Sequence, residues 1–432
     1  MPADVNFPHA LRALRSRNFR LFAGGQLVSL IGTWMQVVAQ SWLMYRLTGS
    51  AALLGLVGFA SQIPVFVLAP LGGVLADRFD RRRILIVVQA TMMLLALVLA
   101  ALTLSGLVQV WHIFLLASLL GVANAFDIPV RQSFVVRMVG RDYLPNAIAL
   151  NSSLVNGARI VGPAVAGVVV AVIGEGWCFL VNGLSYAGVI TALASMRITG
   201  DADGAPTGLS AWDSIVEGFT FAWHTYPIRA LLLLLGLVSL MGMPYSVLMP
   251  VIADRVLGGG PYAYGLLMSA AGLGALGGSG ALTVKRDLHG LGRWIAFCAS
   301  GFGACLVLFS LSSALWLSAA LLVPAGFCMM IEMAASNTLI QAMVPDRLRG
   351  RVMAVYSMMF MGMAPLGALM AGALAGPIGA PATVRLGGAA CIAGGVIFGM
   401  RLSILRGPAR QLIAAQEMTA GAPPDEATRA SR

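Results

Sequence analysis

Charge is scarce in this sequence. Only 10% of the 432 residues are Asp, Glu, Lys or Arg, whereas 59% are apolar and the mean hydropathy is +0.86. A water-soluble chain of this length would need polar surface for two or three domains, and this composition does not supply it. Apolar runs recur from end to end, many of them near the roughly 20 helical residues that cross a 30 Å hydrocarbon core. The composition therefore predicts an all-α polytopic membrane protein.

Lysine is nearly absent, and clusters of histidine and paired cysteines are missing. The single lysine, Lys285, does not stand in the phosphate-binding motif G-x-x-x-x-G-K-[ST], which argues against an ATP-driven pump on this chain. The four histidines are scattered, and the five cysteines lie in apolar runs without the spacing of a metal site or a disulfide. No soluble face gathers the basic residues, so nucleic-acid binding is not expected. We expect no enzymatic activity, no metal and no cofactor.

Breaks at charged, Gly or Pro residues divide the chain into twelve predicted spans: 19–45, 51–76, 84–105, 110–137, 146–173, 177–196, 228–253, 262–284, 293–312, 314–341, 351–376 and 384–404. If the N-terminus is cytoplasmic, nearly all of the 28 basic residues fall on the cytoplasmic side. The exceptions are Arg46, Arg255 and Arg385 outside and Arg159 within a span. This asymmetry predicts a multi-pass protein with both termini in the cytoplasm and contacts with anionic lipid headgroups.

The chain repeats itself at an offset of about 205 residues. Trp111 is followed sixteen residues later by Asp127, and Trp316 by Glu332 at the same distance. The predicted loops 139–148 and 343–352 also match, and the pair Gly72-Gly73 recurs as Gly277-Gly278. The repeat predicts two six-helix halves, 19–196 and 228–404. Around them we expect a cytoplasmic N-terminus (1–18), a cytoplasmic linker with an interfacial helix (197–227) and a disordered cytoplasmic tail (405–432).

Six charges stand together in residues 77–83, after the second span. Gly73, Asp77, Arg78, Arg81 and Arg82 form the pattern G-x-x-x-D-R-x-x-R-R, which resembles the loop signature of the major facilitator superfamily, with Asp80 where that family usually has Gly. The resemblance implies a twelve-helix fold of two halves, with Asp77 in a charge lock that closes one face of the transporter. Marking the cytoplasmic side is the alternative role for these arginines.

Two further segments indicate which branch of the superfamily the chain resembles. Residues 18–50 are similar to the opening of the drug-exporter branch called transmembrane secretion effectors, to which enterobactin exporters and macrolide efflux proteins belong. Gly162, Pro163 and Gly167 in span 5 are similar to the antiporter motif G-P-x-x-G-G. That motif implies antiport, although a structural kink with close helix approach explains the same residues equally well.

Charged residues inside the spans are few and are therefore candidates for function. Asp127 and Glu332 could carry a proton or help to close the cytoplasmic gate, and Arg131 stands one helical turn from Asp127 as a possible partner. Arg159 could bind an anionic group of the substrate or pair with Asp127. In the superfamily, spans 1, 4, 7 and 10 line a central cavity. Polar candidates for that lining are Gln36, Asn124 and Asn337, with hydrogen bonding between helices as the alternative.

Together these features predict a secondary active transporter. It would export small amphipathic molecules, drug- or siderophore-like, by proton antiport with alternating access. We expect a monomer in a bacterial inner membrane, driven by the proton gradient without a bound cofactor. Uptake by the same fold is one alternative, and a transport-inactive sensor or assembly partner is another.

Overall fold

The structure is a computed structural model that describes residues 9–196, 211–284, 288 and 290–419. For some residues within these ranges, Gly73, Asp77 and Arg78 among them, only the backbone is described. Twelve helices of the described ranges are long and apolar enough to cross a membrane, which confirms the predicted all-α fold and the number of spans. We keep the span numbers of the sequence analysis for them.

Spans 1 to 6 are Arg17–Thr48, Ala51–Arg78, Arg81–Leu104, Val110–Val135, Asn146–Ile173 and Glu175–Ser195. Spans 7 to 12 are Tyr226–Val256, Gly260–Val284, Leu291–Leu311, Leu315–Met343, Asp346–Ala375 and Ala380–Met400. Capping residues set several ends: Gly49 stops span 1 in the left-handed conformation, with φ of 60°, and Ser50 then caps span 2.

Spans 4 and 5 belong to one continuous helix, Val110–Ile173. The prediction of a loop over 139–148 is therefore wrong. Gly140 and Pro145 stand five residues apart, so the segment lacks a turn-forming pair such as Pro-Gly or Asn-Gly, and helical hydrogen bonding continues through it.

The first compact unit holds the described part of 1–207 together with Ala253–Gly272. Within it, span 1 packs against spans 4, 5 and 6, span 2 against span 4, and span 3 against span 6. Residues 253–272, which the predicted halves assign to the second half, thus belong to this compact unit, and the division into two six-helix halves stays a prediction. Small residues explain this grouping: a Cβ added at Gly265 would lie 2.7 Å from Gly167 Cα, and Ser269 Oγ donates to the Ile160 carbonyl at 2.8 Å.

The second unit holds the described parts of 208–252 and 273–432. Span 9 packs between spans 10 and 12. Spans 9 and 12 approach closely, because a Cβ added at Gly388 would lie 2.6 Å from the Gly303 carbonyl oxygen. The predicted interfacial segment forms a helix, Ala211–His224, which packs against the first part of span 11. We call it the connecting helix. The predicted polar linker before it, 197–210, lies outside the described residues.

Spans 7 and 11 each contain a π-helical turn, Val238–Gly242 and Met358–Gly362. Each turn precedes a proline, Pro244 or Pro365, which has no N–H to donate to the turn before it. The two turns are bonded to each other, because Ser239 Oγ donates to the Phe360 carbonyl at 2.6 Å. Irregular backbone at membrane depth needs such a substitute partner.

The last described element is a tail helix, Leu402–Thr419. The expectation of disorder over 405–432 is therefore wrong for residues 405–419, while 420–432 lie outside the described residues. Apolar residues at helical spacing explain the helix, which packs on spans 7 and 10 and buries Leu405 at 4% exposure.

Candidate functional site

The charged segment after span 2 is partly described. Arg82 donates through Nη2 to the Ala194 carbonyl at 2.5 Å, in the last turn of span 6. A guanidinium at a helix C-terminus satisfies a carbonyl that has no partner in its own helix. Arg82 therefore joins the start of span 3 to the end of span 6. The side chains of Gly73, Asp77 and Arg78 lie outside the described residues, so their gating role stays a prediction.

Asp80 is the residue that departs from the superfamily signature, and the structure gives it a local role. It is the N-cap of span 3: its Oδ1 accepts a hydrogen bond from the backbone N–H of Arg82 at 2.9 Å. Its other oxygen lies 3.7 Å from Arg83 Nε. An N-cap carboxylate stabilises the start of a helix, so Asp80 strengthens span 3 where Gly would only permit a turn.

Asp127 lies in a buried polar cluster between spans 3 and 4. Its side chain is 3% exposed, and its Oδ2 lies 3.2 Å from Arg131 Nε, the predicted i,i+4 partner. Gln89 Nε2 donates to the other oxygen at 2.8 Å. Both oxygens of this carboxyl group therefore have a partner, one from its own helix and one from span 3.

Glu332, the counterpart of Asp127 in the repeat, has a different environment. It is 1% exposed, and among the described residues no cation pairs with it. Its Oε1 makes no hydrogen bond of regular geometry there, and the polar group beside this carboxyl is the Ser336 hydroxyl one helical turn further on. A buried polar atom without a partner is rare in a native fold and calls for an explanation. The two acids of the repeat are thus chemically distinct.

Arg159 lies against Trp34, with the guanidinium carbon 5.4 Å from the ring centre. The contact joins span 5 to span 1 at membrane depth, and both residues are partly exposed. A guanidinium over an indole face presents a cation beside a flat apolar surface. Asp127, the suggested partner of Arg159, already has Arg131 and Gln89 as its partners.

The three polar candidates for a cavity lining all make hydrogen bonds. Gln36 is buried and accepts from Asn182 Nδ2 of span 6 at 2.5 Å, as in the helix-packing alternative. Asn124 donates to the Leu120 carbonyl of its own helix at 3.0 Å, and Asn337 accepts from Gln341 at 2.6 Å. Asn124 and Asn337 remain partly exposed, so of the three Gln36 is the one used wholly for packing.

The two glycines of the span 5 motif, Gly162 and Gly167, lie where a side chain would clash with a neighbouring helix. A Cβ added at Gly162 would lie 2.5 Å from Trp34 Cβ and 2.9 Å from the Ile31 carbonyl oxygen. One added at Gly167 would lie 3.0 Å from the Pro261 carbonyl oxygen. Gly162 and Gly167 therefore let span 5 approach span 1 and the start of span 8, and Gly162 also sets the position of Trp34 beside Arg159. This supports the structural reading of the motif and leaves its antiport role a prediction.

Sequence reasoning missed an ionic cluster at the C-terminal end of span 1. Arg46 makes two hydrogen bonds to the buried Glu175, at 2.7 and 3.3 Å. Tyr45 donates to Asp254 at 2.7 Å, and Arg255 donates to the Gly49 carbonyl at 2.9 Å. The signal was present, because Arg46 and Arg255 are among the few arginines on the predicted outer side.

Comparison with known proteins identifies the family. The chain matches the transmembrane secretion effectors, a family of the major facilitator superfamily, over residues 9–426. The chain belongs to this family. The confirmed resemblance rested on residues 18–50 and on the charged segment after span 2.

Several proteins that this secretion effector resembles over most of its length are transporters. It is 24% identical to the staphyloferrin A transporter of Staphylococcus aureus, covering 88% of this chain and 95% of that protein. It is 27% identical to the multidrug efflux pump Tap of Mycolicibacterium fortuitum (84% and 90% covered) and 25% identical to the enterobactin exporter EntS of Citrobacter koseri (94% and 95%). The nucleoside transporter NupG has the same fold, with a TM-score of 0.71 at 12% identity over 89% of this chain and 98% of that one. The chain is a multi-pass membrane transporter and not an enzyme.

Proposed function

We propose that this secretion effector exports small amphipathic molecules from the cytoplasm by proton antiport with alternating access. Export is supported by the names of its relatives, a multidrug efflux pump and an enterobactin exporter, which match it over most of their length. Drug- or siderophore-like compounds are the substrate class that these names suggest.

The proposal that transport is coupled to protons depends on the environment of Glu332. A carboxyl group buried without a cation is tolerated chiefly in its protonated form, because an unpaired buried charge is costly. A proton taken up here and released after a conformational change would couple transport to the gradient. Asp127 is the poorer candidate, because both of its oxygens already have partners, Arg131 and Gln89.

Arg159 and Trp34 are the proposed contact for the substrate. A cation held beside an indole face suits a molecule that carries both an acidic group and a flat apolar part. Gly162 makes this arrangement possible, since any larger residue would displace Trp34.

The remaining proposals follow the sequence analysis. Both termini lie in the cytoplasm of a bacterium, the protein works in the inner membrane as a monomer among anionic lipids, and the proton gradient is its energy source without a bound cofactor. The basic residues of the cytoplasmic segments support this orientation. No interaction with nucleic acid is proposed.

Transport into inverted membrane vesicles tests the proposal. Energised vesicles should accumulate at least one compound from a panel of amphipathic drugs and siderophores, and a protonophore should abolish the accumulation. Movement in the opposite direction would support uptake instead. No movement of any compound, with or without a gradient, would support the transport-inactive alternative.

A further inference from the structure

The junction of the connecting helix and span 7 carries an exposed aromatic surface around one arginine. Phe219 and Trp223 stack with their ring centres 5.7 Å apart, and they are 45% and 47% exposed. The Arg229 guanidinium carbon lies 5.6 Å from the Trp223 ring centre and 5.4 Å from that of Tyr226. Within the described ranges, Arg229 makes no ion pair.

A shallow apolar depression continues from this arginine along span 7. Besides Phe219, Trp223 and Arg229, its lining is entirely apolar: Ala222, Leu232, Leu233, Val355 and Met359. Leu233, one helical turn beyond Arg229, is 52% exposed. The surface therefore has a cationic end and an apolar end.

Close packing fixes the geometry of this surface. A Cβ added at Gly218 would lie 2.7 Å from the Arg351 carbonyl group, so the connecting helix sits directly on the backbone of span 11. Glu217 accepts a hydrogen bond from Arg351 beside this contact. The aromatic residues of the connecting helix are thus held beside Arg229 instead of being free to move away.

We propose that this surface binds one anionic phospholipid, with the headgroup phosphate on Arg229 and an acyl chain along Leu233 and Met359. The rings of Trp223 and Tyr226 cover guanidinium faces, and one N–H donates to the Trp223 carbonyl at 3.4 Å. The guanidinium has five N–H donors, so others remain for a phosphate.

Position along the chain favours a lipid over a soluble anion. Arg229 is the fourth residue of span 7, so it stands where a spanning helix enters the headgroup layer, and tryptophan is enriched at that level. Basic residues there attract anionic headgroups. The neighbouring depression is apolar, as an acyl chain requires and a soluble anion does not.

Lipid titration of the purified full-length protein tests the proposal. Delipidated protein in detergent is titrated with phosphatidylglycerol or phosphatidylcholine, and bound lipid is counted by native mass spectrometry. Phosphatidylglycerol should bind preferentially, and Arg229→Gln should weaken its binding about fivefold, as expected for one basic residue at an anionic membrane surface. Arg229→Lys should retain most of the preference. Arg401→Gln is the matched control, an exposed arginine at the end of span 12, and should change nothing.

A second measurement tests whether the lipid binds beside Trp223, and it does not require the Arg229 variants to fold. Brominated phosphatidylglycerol should quench the tryptophan fluorescence of the unmutated protein more than that of Trp223→Phe. Equal quenching, equal binding of the two lipids, or unchanged binding by a folded Arg229→Gln would overturn the proposal. Displacement of the lipid by inorganic phosphate at similar concentrations would show a site for a soluble anion and would overturn it as well.

Discussion

Replacement of Glu332 by Gln separates proton coupling from folding. The change keeps the shape of the side chain and removes the ionisable group. Because the described residues provide no cation or hydrogen bond for Oε1, little native interaction is lost. We expect the free energy of unfolding to change by no more than about 1 kcal/mol, the usual net worth of one neutral hydrogen bond.

The effect on transport should be larger and can be calculated. The proposal assigns one proton per cycle to Glu332, because Asp127 already has Arg131 as its partner. A pH difference of one unit supplies about 1.4 kcal/mol per proton, which sustains a substrate gradient of about tenfold. Glu332→Gln should reduce this gradient to unity, while exchange of labelled substrate without a pH difference should continue.

The assay uses proteoliposomes with the membrane potential clamped to zero and a compound that the unmutated protein transports. Accumulation is measured against an imposed pH difference for the unmutated protein, Glu332→Gln and Ser318→Ala. Ser318→Ala is the matched control, because it removes a buried hydroxyl from the same helix, about 21 Å along the helix from Glu332, and cannot carry a proton. It should keep the tenfold gradient.

Two results would refute the reasoning. A gradient of about tenfold in Glu332→Gln would show that another group carries the proton. A loss of more than about 3 kcal/mol of stability would show that Glu332 is bound to a partner in the native protein, as in the breaking of a buried ion pair.

Three further substitutions test the packing of the spans. Asp127→Asn should cost about 1–2 kcal/mol in chemical denaturation, less than for a fully buried pair because the Arg131 side chain is 25% exposed; an unchanged stability would contradict the pairing. Gly162→Ala should cost about 1–3 kcal/mol by overpacking against Trp34, seen as a lower thermal midpoint, and a neutral effect would mean that span 1 can yield. Ser239→Ala should leave the Phe360 carbonyl without its partner and cost about 1–3 kcal/mol, with Ser239→Thr recovering part of it; equal stability of all three proteins would count against the bond.

The sequence predicts the spans well because their signal is local. Twelve apolar runs correspond to twelve spans of the described residues, and most ends lie within a few residues of the predicted ones. The larger errors fall where charge and helix coincide. Span 11 begins at Asp346 and not at residue 351, because D-R-L-R-G-R is helical although it is polar.

Side-chain partners were likewise predictable only where the two residues are close in sequence. The Asp127–Arg131 pair stands one turn apart on one helix and was predictable, whereas Gln89 reaches Asp127 from another span. The Asp80 cap is also local and could have been found, because Asp before a long helical run is a typical N-cap. The bond from Tyr45 to Asp254 joins residues 209 positions apart, a distance over which the sequence pattern carries no information.

The bond between Ser239 and Phe360 gives spans 7 and 11 a shared joint. A π turn is a point where a helix bends at low cost, and here a side chain of one turn satisfies a backbone carbonyl of the other. Straightening either turn would break this bond and leave the Phe360 carbonyl without its donor. Bending of the two spans is therefore coupled at this bond, and a force applied to one is transmitted to the other at the depth of residues 239 and 360.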